Sequence, residues 1–356
     1  MLHTHSSYPP LDGSLRAATL ARMSQTMPAI ILRQFGGTEH FVLSQIPRPA
    51  PAAGQVLVRV KASSVNPVDI KIRSGMLAAI APADPCVLGC DMAGIVEECG
   101  AGVTDFSPGD EVYGCPGGVK GSPGALAEYM VCDTRLLAPK PAGLTFEEAA
   151  ALPLVSITAW DGLLDRAKVR AGQRVLIHGG AGGVGHIALQ LCAAQGAEVW
   201  ATVSSQEKAD IARGLGATGT INYREQSVEE YVQQATGGAG FDVVFDSVGG
   251  DNVARCFQAA AVSGTVVSIS TRTTADLSPL HAKGLSLHVV FMLIPLLYNK
   301  GRERHGEILR ELNTLIAAGK IRPLLDAQRF TFADAAAAHE RLASGAATGK
   351  IVLSGF

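Results

Sequence analysis

The chain has 356 residues, 47% of them hydrophobic and 17% charged, with a formal net charge of −2. That length exceeds one ordinary core and predicts two domains. The balanced charge, with no Lys/Arg block, argues against a nucleic-acid binder and a polybasic membrane tail.

Forty glycines with only 5% aromatics fit an α/β fold with tight turns. Seven cysteines, an odd number without a CxxC pair, predict buried thiols in a reduced, cytoplasmic chain. Residues 1–26 lack the apolar run of a signal peptide and read as a disordered extension, with regular patterning from Met27. Residues 27–140 hold short strand-like runs, such as QVLVRVKASSV (55–65) and GIVEECG (94–100), between Gly/Pro turns. That texture predicts a β-rich unit. Thr145, with Glu148 three residues on, reads as a capping box that opens a helix.

From there strands and helices alternate. RVLIHG (174–179), AEVWATV (197–203), FDVVFDSV (241–248) and GTVVSIS (264–270) are strands with helical segments between them. The alternation predicts a parallel, doubly wound sheet. The apolar stretch LSLHVVFMLIPLLY (285–298) falls short of the ~20 residues a membrane span needs and reads as a buried strand followed by a helix or loop. Two more helices and a final strand, GKIVLSG, are expected to return and complete the first unit.

HGGAGGVGH (178–186) contains Gly180-x-Gly182-x-x-Gly185 between an apolar strand and a helix. In that context the glycines let backbone approach a pyrophosphate, which the helix N-terminus favours. An acidic residue about 20 positions on would hold the ribose of NAD. The chain instead reads ATVSSQEK (201–208), where Ser204, Ser205 and Lys208 offer hydroxyls and a cation to a 2′-phosphate. NADPH is therefore the expected cofactor. No metal site is expected: three cysteines at 86–99 have no neighbouring His, and only Cys115 and Cys132 lie in 110–132. Without a Lewis acid, hydride addition to a conjugated C=C or a quinone is more plausible than alcohol oxidation. That addition needs a hydrogen-bond donor at the carbonyl.

VNPVDIKIRSG, LGCDMAGIVEECGAGVTDFSPGDEVYG, AAALPLVSITAW, HGGAGGVG, GATGTINY and the terminal GKIVL together resemble the medium-chain dehydrogenase/reductases, in their zinc-independent quinone oxidoreductase and enone (2-alkenal) reductase branch. The resemblance implies an α/β fold. Its GroES-like catalytic domain (27–151 and 297–356) is split around a Rossmann NADPH-binding domain (152–296). Asn66 stands where zinc enzymes place a Cys ligand, and Gly89-Cys90-Asp91 where they place Gly-His-Glu.

By position, Ser204, Lys208 and Tyr223 resemble 2′-phosphate contacts. Thr158, with Gly180, Ala181, Gly182, Gly183 and Val184, resembles the pyrophosphate and nicotinamide neighbours. Ser247, Val248 and Ser270 would lie near a ribose. Phe291 and Leu293 would approach the nicotinamide through backbone, and Gly349 and Lys350 would close the groove. Asn66, with Lys71, is the candidate catalytic pair that polarises the substrate oxygen. Asn66 also reads as a turn-stabilising residue before Pro67, and Asp69 with Lys71 as a local structural pair. The implied protein is a homodimeric reductase of small quinones or enones. An enoyl-thioester reductase and a non-enzymatic NADPH-binding protein, sensing or crystallin-like, are the competing readings.

Overall fold

The computed structural model describes residues 25–356. The extension read over 1–26 thus lies outside the described residues except at its end, where Thr26 already opens the first strand.

Two six-stranded sheets dominate. The first is antiparallel. Its strands are β3 (Gln55–Ser64), β4 (Asp91–Cys99), β5 (Glu111–Gly114) and β7 (Leu137–Pro139), with β6 (Tyr129–Asp133) also on β3 and β14 (Val352–Ser354) on the other edge. The register Val352↔Ser64 brings the end of the chain back onto β3. A separate hairpin joins β1 (Thr26–Leu32) to β2 (Phe41–Pro47). Val56, Leu57, Val58, Val60 and Ala62 of β3 are all buried. That near-continuous burial explains why the sequence shows an apolar run there rather than a strict alternation.

The second sheet is parallel throughout. It comprises β8 (Arg174–Ile177), β9 (Glu198–Val203), β10 (Gly219–Asn222), β11 (Phe241–Asp246), β12 (Ala260–Ser268) and β13 (Ser286–Val289), in spatial order 10-9-8-11-12-13. Chain order reverses beside β8, and ligands of such sheets bind at that switch point. Apolar strands alternating with helices dictate this arrangement, because a parallel pair needs a crossover and the helices bury both faces.

The segment 285–298 departs from expectation. Its strand, β13, is one of the sheet's two edges, and Ser286 and Val289 are exposed. An apolar run reports a strand but not its place in the sheet. The capping box is present: Thr145 N–H donates to Glu148 Oε2 at 2.8 Å, and Glu148 N–H to Thr145 Oγ1 at 3.2 Å.

Candidate dinucleotide and active site

The glycine turn leaves the C-terminal end of β8 and runs into helix Gly185–Ala194. Two glycines there are forced by close approach. A Cβ on Gly185 would lie 2.0 Å from Gly179 O, and one on Gly180 would lie 2.6 Å from the Ala201 Cβ on β9. Above the turn lies a cavity of about 960 Å³, with Gly179, Ala181 and Gly182 on one wall and Ser204, Lys208, Tyr223 and Arg224 on another. Val248 and Gly249 form a third side, and His178 and Thr202 the floor. The Arg224 guanidinium lies 6.0 Å from the Tyr223 ring. The wall's carboxylates, Glu225, Glu229 and Asp251, belong to the segments after β10 and β11, not to the end of β9.

The His178 imidazole is held near a pKa of about 4, chiefly by burial and partly by Arg255, against the opposing pull of Asp246. It is therefore neutral at pH 7. Its Nδ1 is 3.3 Å from Thr202 Oγ1, and that hydroxyl also accepts the Gly179 N–H at 3.0 Å. Asp246 organises the next loop by accepting from Val248 N–H, Gly249 N–H and Asn252 Nδ2, while Ser268 donates to its other oxygen.

The remaining expected residues occupy other positions. The Ser205 hydroxyl accepts the Lys208 N–H at 3.3 Å and caps helix Gln206–Gly214. Ser247 Oγ donates to His178 O at 2.7 Å, and Ser270 lies against Gly249. Val184 is the N-cap of the helix after the turn, and Leu293 that of helix Ile294–Tyr298. Leu293 is buried and Phe291 exposed. Thr158 Oγ1 donates to Leu154 O at 2.7 Å within helix Pro153–Trp160.

Asn66 precedes helix Pro67–Arg73, and Asp69 Oδ2 accepts its backbone N–H at 2.8 Å. Asp69 is also met by Gly89 N–H and Cys90 Sγ, and Lys71 is not among its hydrogen-bond or ion-pair partners. Burial pushes the Asp69 carboxyl up to about 6, against the lowering by its bond from Asn66.

The Asn66 side chain also reaches away from the helix that it opens. Its Nδ2 donates to Asp91 Oδ2 at 2.9 Å, and its Oδ1 accepts from Lys350 Nζ. Lys350 arrives on the returning tail. Gly349 N–H donates to Ala181 O at 3.0 Å, and the Lys350 stem passes beside Gly183. The tail thus joins the glycine turn to Asn66. Sequence reasoning missed Asp91 as a partner of this group. The available signal was a carboxylate inside the apolar run LGCDMAG, since a buried charge needs partners. It also missed Arg224, a second cation beside Lys208.

A parallel sheet in this order, with a glycine turn at its switch point and an antiparallel sheet beside it, defines a dinucleotide-binding oxidoreductase class. The comparisons narrow it. A family model described as "Alcohol dehydrogenase GroES-like domain" matches residues 52–142, and one described as "Zinc-binding dehydrogenase" matches residues 215–353. The chloroplastic NADPH-dependent alkenal/one oxidoreductase of Arabidopsis thaliana is 34% identical over 343 residues, covering 94% of this chain and 81% of that protein. The quinone oxidoreductase of Rattus norvegicus is 31% identical over 336 residues, covering 94% of this chain and 99% of that one. The crystal structure of an alcohol dehydrogenase superfamily protein from Novosphingobium aromaticivorans superposes with a TM-score of 0.88 at 42% identity, covering 93% of this chain and all (100%) of that one.

The chain belongs to the medium-chain dehydrogenase/reductase superfamily, in its zinc-independent quinone oxidoreductase and enone reductase branch, and is an oxidoreductase. The zinc in one family description finds no counterpart in ligand geometry. Among the described residues no three His, Cys, Asp or Glu side chains are disposed to hold a metal ion. The Cys90 thiol is held well above its ordinary pKa by the Cys115 hydrogen bond and by burial.

Proposed function

We propose that this protein is an NADPH-dependent reductase of quinones or α,β-unsaturated carbonyl compounds that works without zinc. The observation that carries the cofactor choice is the cavity lining. Ser204 and Lys208, at the end of β9, share it with Tyr223 and Arg224, which follow β10 and precede Glu225. A carboxylate at the end of β9 would hold a ribose hydroxyl and repel a phosphate, whereas two cations and two hydroxyls attract one. The glycine turn fits a pyrophosphate, since Gly185 and Gly180 have no room for a side chain.

When bound, NADPH supplies the hydride. The chain's part is to place the acceptor and stabilise charge on its oxygen. Asn66 keeps one amide N–H beyond those it spends on Asp91, and that N–H meets the substrate oxygen or a ribose hydroxyl. Lys71, with no ion pair among the described residues, is the second donor. By the family resemblance, Thr158, Ser247, Ser270, Phe291 and Leu293 would border the nicotinamide half of the groove. The working units are 27–151 with 297–356, and 152–296, with the groove between them.

The exposed edge of β13, beside Val289, Phe291, Ile294 and Tyr298, supports a homodimer built by pairing two such edges. No helix among the described residues is long and apolar enough to cross a membrane. The cysteines, all free, fit a reducing cytoplasm.

The test is oxidation of NADPH and of NADH with 1,4-benzoquinone, 9,10-phenanthrenequinone and a short 2-alkenal, with and without chelator. Chelator-insensitive, NADPH-preferring turnover is expected. Preference for NADH, or loss of rate with chelator, overturns the cofactor or the zinc-free reading respectively. Turnover with none of these acceptors but with an added enoyl thioester moves the substrate class.

A further inference from the structure

We propose that Asp91 and Lys350 are positioning residues that lock the Asn66 carboxamide in one orientation and sharpen its remaining N–H as a donor. The inference rests on the reading of Asn66 as the group that meets the substrate or ribose oxygen.

Asn66, Asp91 and Lys350 are 1%, 0% and 3% exposed. Lys350 Nζ donates to Asn66 Oδ1, to Val65 O at 3.3 Å and to Asp91 Oδ2 at 3.3 Å. An ammonium has three N–H donors, and these three acceptors use them all. None is left for a phosphate, so Lys350 works through Asn66 rather than on the cofactor.

The same count fixes the amide. Its oxygen faces an ammonium, which only donates, and one N–H faces a carboxylate oxygen, which only accepts at 2.9 Å. A flipped amide would set donor against donor and acceptor against acceptor in a place closed to solvent. The orientation is therefore unique, and so is the direction of the second Nδ2–H. Charge drawn toward the ammonium through Oδ1 also makes that N–H a stronger donor.

Asp91 serves two tasks on separate oxygens. Oδ1 accepts the Leu154 N–H at 2.8 Å in the first turn of helix Pro153–Trp160, a structural contact. Oδ2 receives Asn66, Lys350 and the Ser64 hydroxyl at 2.6 Å. Lys350→Met takes the ammonium from Asn66 and also leaves the buried Asp91 carboxylate without its ion-pair partner, so its thermal stability is read beside kcat. It keeps most of the stem beside Gly183 and leaves the Leu154 and Ser64 contacts in place.

The experiment compares wild type, Lys350→Met, Asp91→Asn and Asn66→Ala, and each of the first two substitutions combined with the third. It measures kcat with 9,10-phenanthrenequinone and a short 2-alkenal, and NADPH Kd by fluorescence. Lys350→Met and Asp91→Asn are each expected to lower kcat tenfold or more, with Kd within threefold of wild type. In the Asn66→Ala background each should change kcat less than twofold, because the group they orient is gone. A tenfold rise in Kd with kcat unchanged in Lys350→Met would make Lys350 a cofactor ligand and overturn the proposal. Equal losses in both backgrounds would make the network a scaffold and overturn it too.

Should Asp91→Asn fail to fold, Lys350→Met decides. A readout free of turnover is the pair of side-chain amide proton signals of Asn66, assigned against Asn66→Ala. These should shift in Lys350→Met, and unshifted signals refute the positioning role. A wild type that reduces neither acceptor refutes the reductase reading alone and leaves this measurement intact.

Discussion

A side chain matters most here where its neighbour leaves it no alternative. At Gly185 the alternative is absent space. A methyl 2.0 Å from Gly179 O must push apart the turn and the helix start. Gly185→Ala is expected to cost about 1–3 kcal/mol, the range for overpacking. It should also weaken NADPH binding, as read by thermal denaturation and fluorescence titration. Lys208 is the opposite case, a half-buried cation on the cavity lining whose value appears only with a phosphate. A hydrogen bond to a charged group is worth about 1.5–3 kcal/mol. Lys208→Ala should therefore raise the NADPH Kd by about 10- to 150-fold and leave the NADH Kd near wild type; equal effects on both would refute the 2′-phosphate role. The glycine turn and Ser204–Lys208 were legible in the sequence because strand, turn and helix are contiguous. The Asn66–Asp91–Lys350 group was not. Its members are 25 and 259 residues apart in their contacts with Asp91, and no local pattern couples them. Asp91 read only as the place of a missing ligand, and Lys350 only as an edge of the groove.

Among elements, the strands of the parallel sheet were readable one by one, with boundaries close to those observed. The strand read over 241–248 is Phe241–Asp246, and that read over 197–203 is Glu198–Val203. Sheet order was less readable, and β13 shows why. Hydrophobicity marks a strand, but whether it lies in the middle or on an edge depends on the path of the crossovers. An open edge with exposed Val289 invites a second chain. Val289→Lys should convert a dimer to a monomer in light scattering while keeping NADPH affinity within a few-fold. A wild type that is monomeric at all concentrations would refute the edge-pairing interface.

At the scale of the whole molecule, four buried histidines set the acid limit. His178, His186 and His305 are each held near a pKa of about 4, and His339 near about 3, in every case chiefly by burial. Each ring keeps one nitrogen without a hydrogen-bond partner, so a proton added there would be unsatisfied. A folded pKa below the unfolded 6.5 gives stability that is complete above pH 6.5 and lost as pH falls toward 4. At 1.36 kcal/mol per pKa unit, the first three are each worth up to about 3 kcal/mol and His339 up to about 5 kcal/mol. Together they approach the whole stability of a typical domain, about 5–15 kcal/mol. Asp69 acts in the other direction. Its folded pKa is raised from 3.8 to about 6, so its contribution is present at low pH and lost as pH rises through 6. One carboxyl does not offset four imidazoles. Denaturant titrations should show stability falling steeply between pH 6.5 and 4, and a flat profile would contradict the buried neutral histidines.

The tail that carries Lys350 to Asn66 also orders events in time. The two residues are separated by 284 positions, and the parallel sheet lies between them in the chain. A contact of that span forms late, because everything it encloses must be made first and a long loop closed. A growing chain can thus make the glycine turn and the parallel sheet before the tail closes the groove and aims its amide donor.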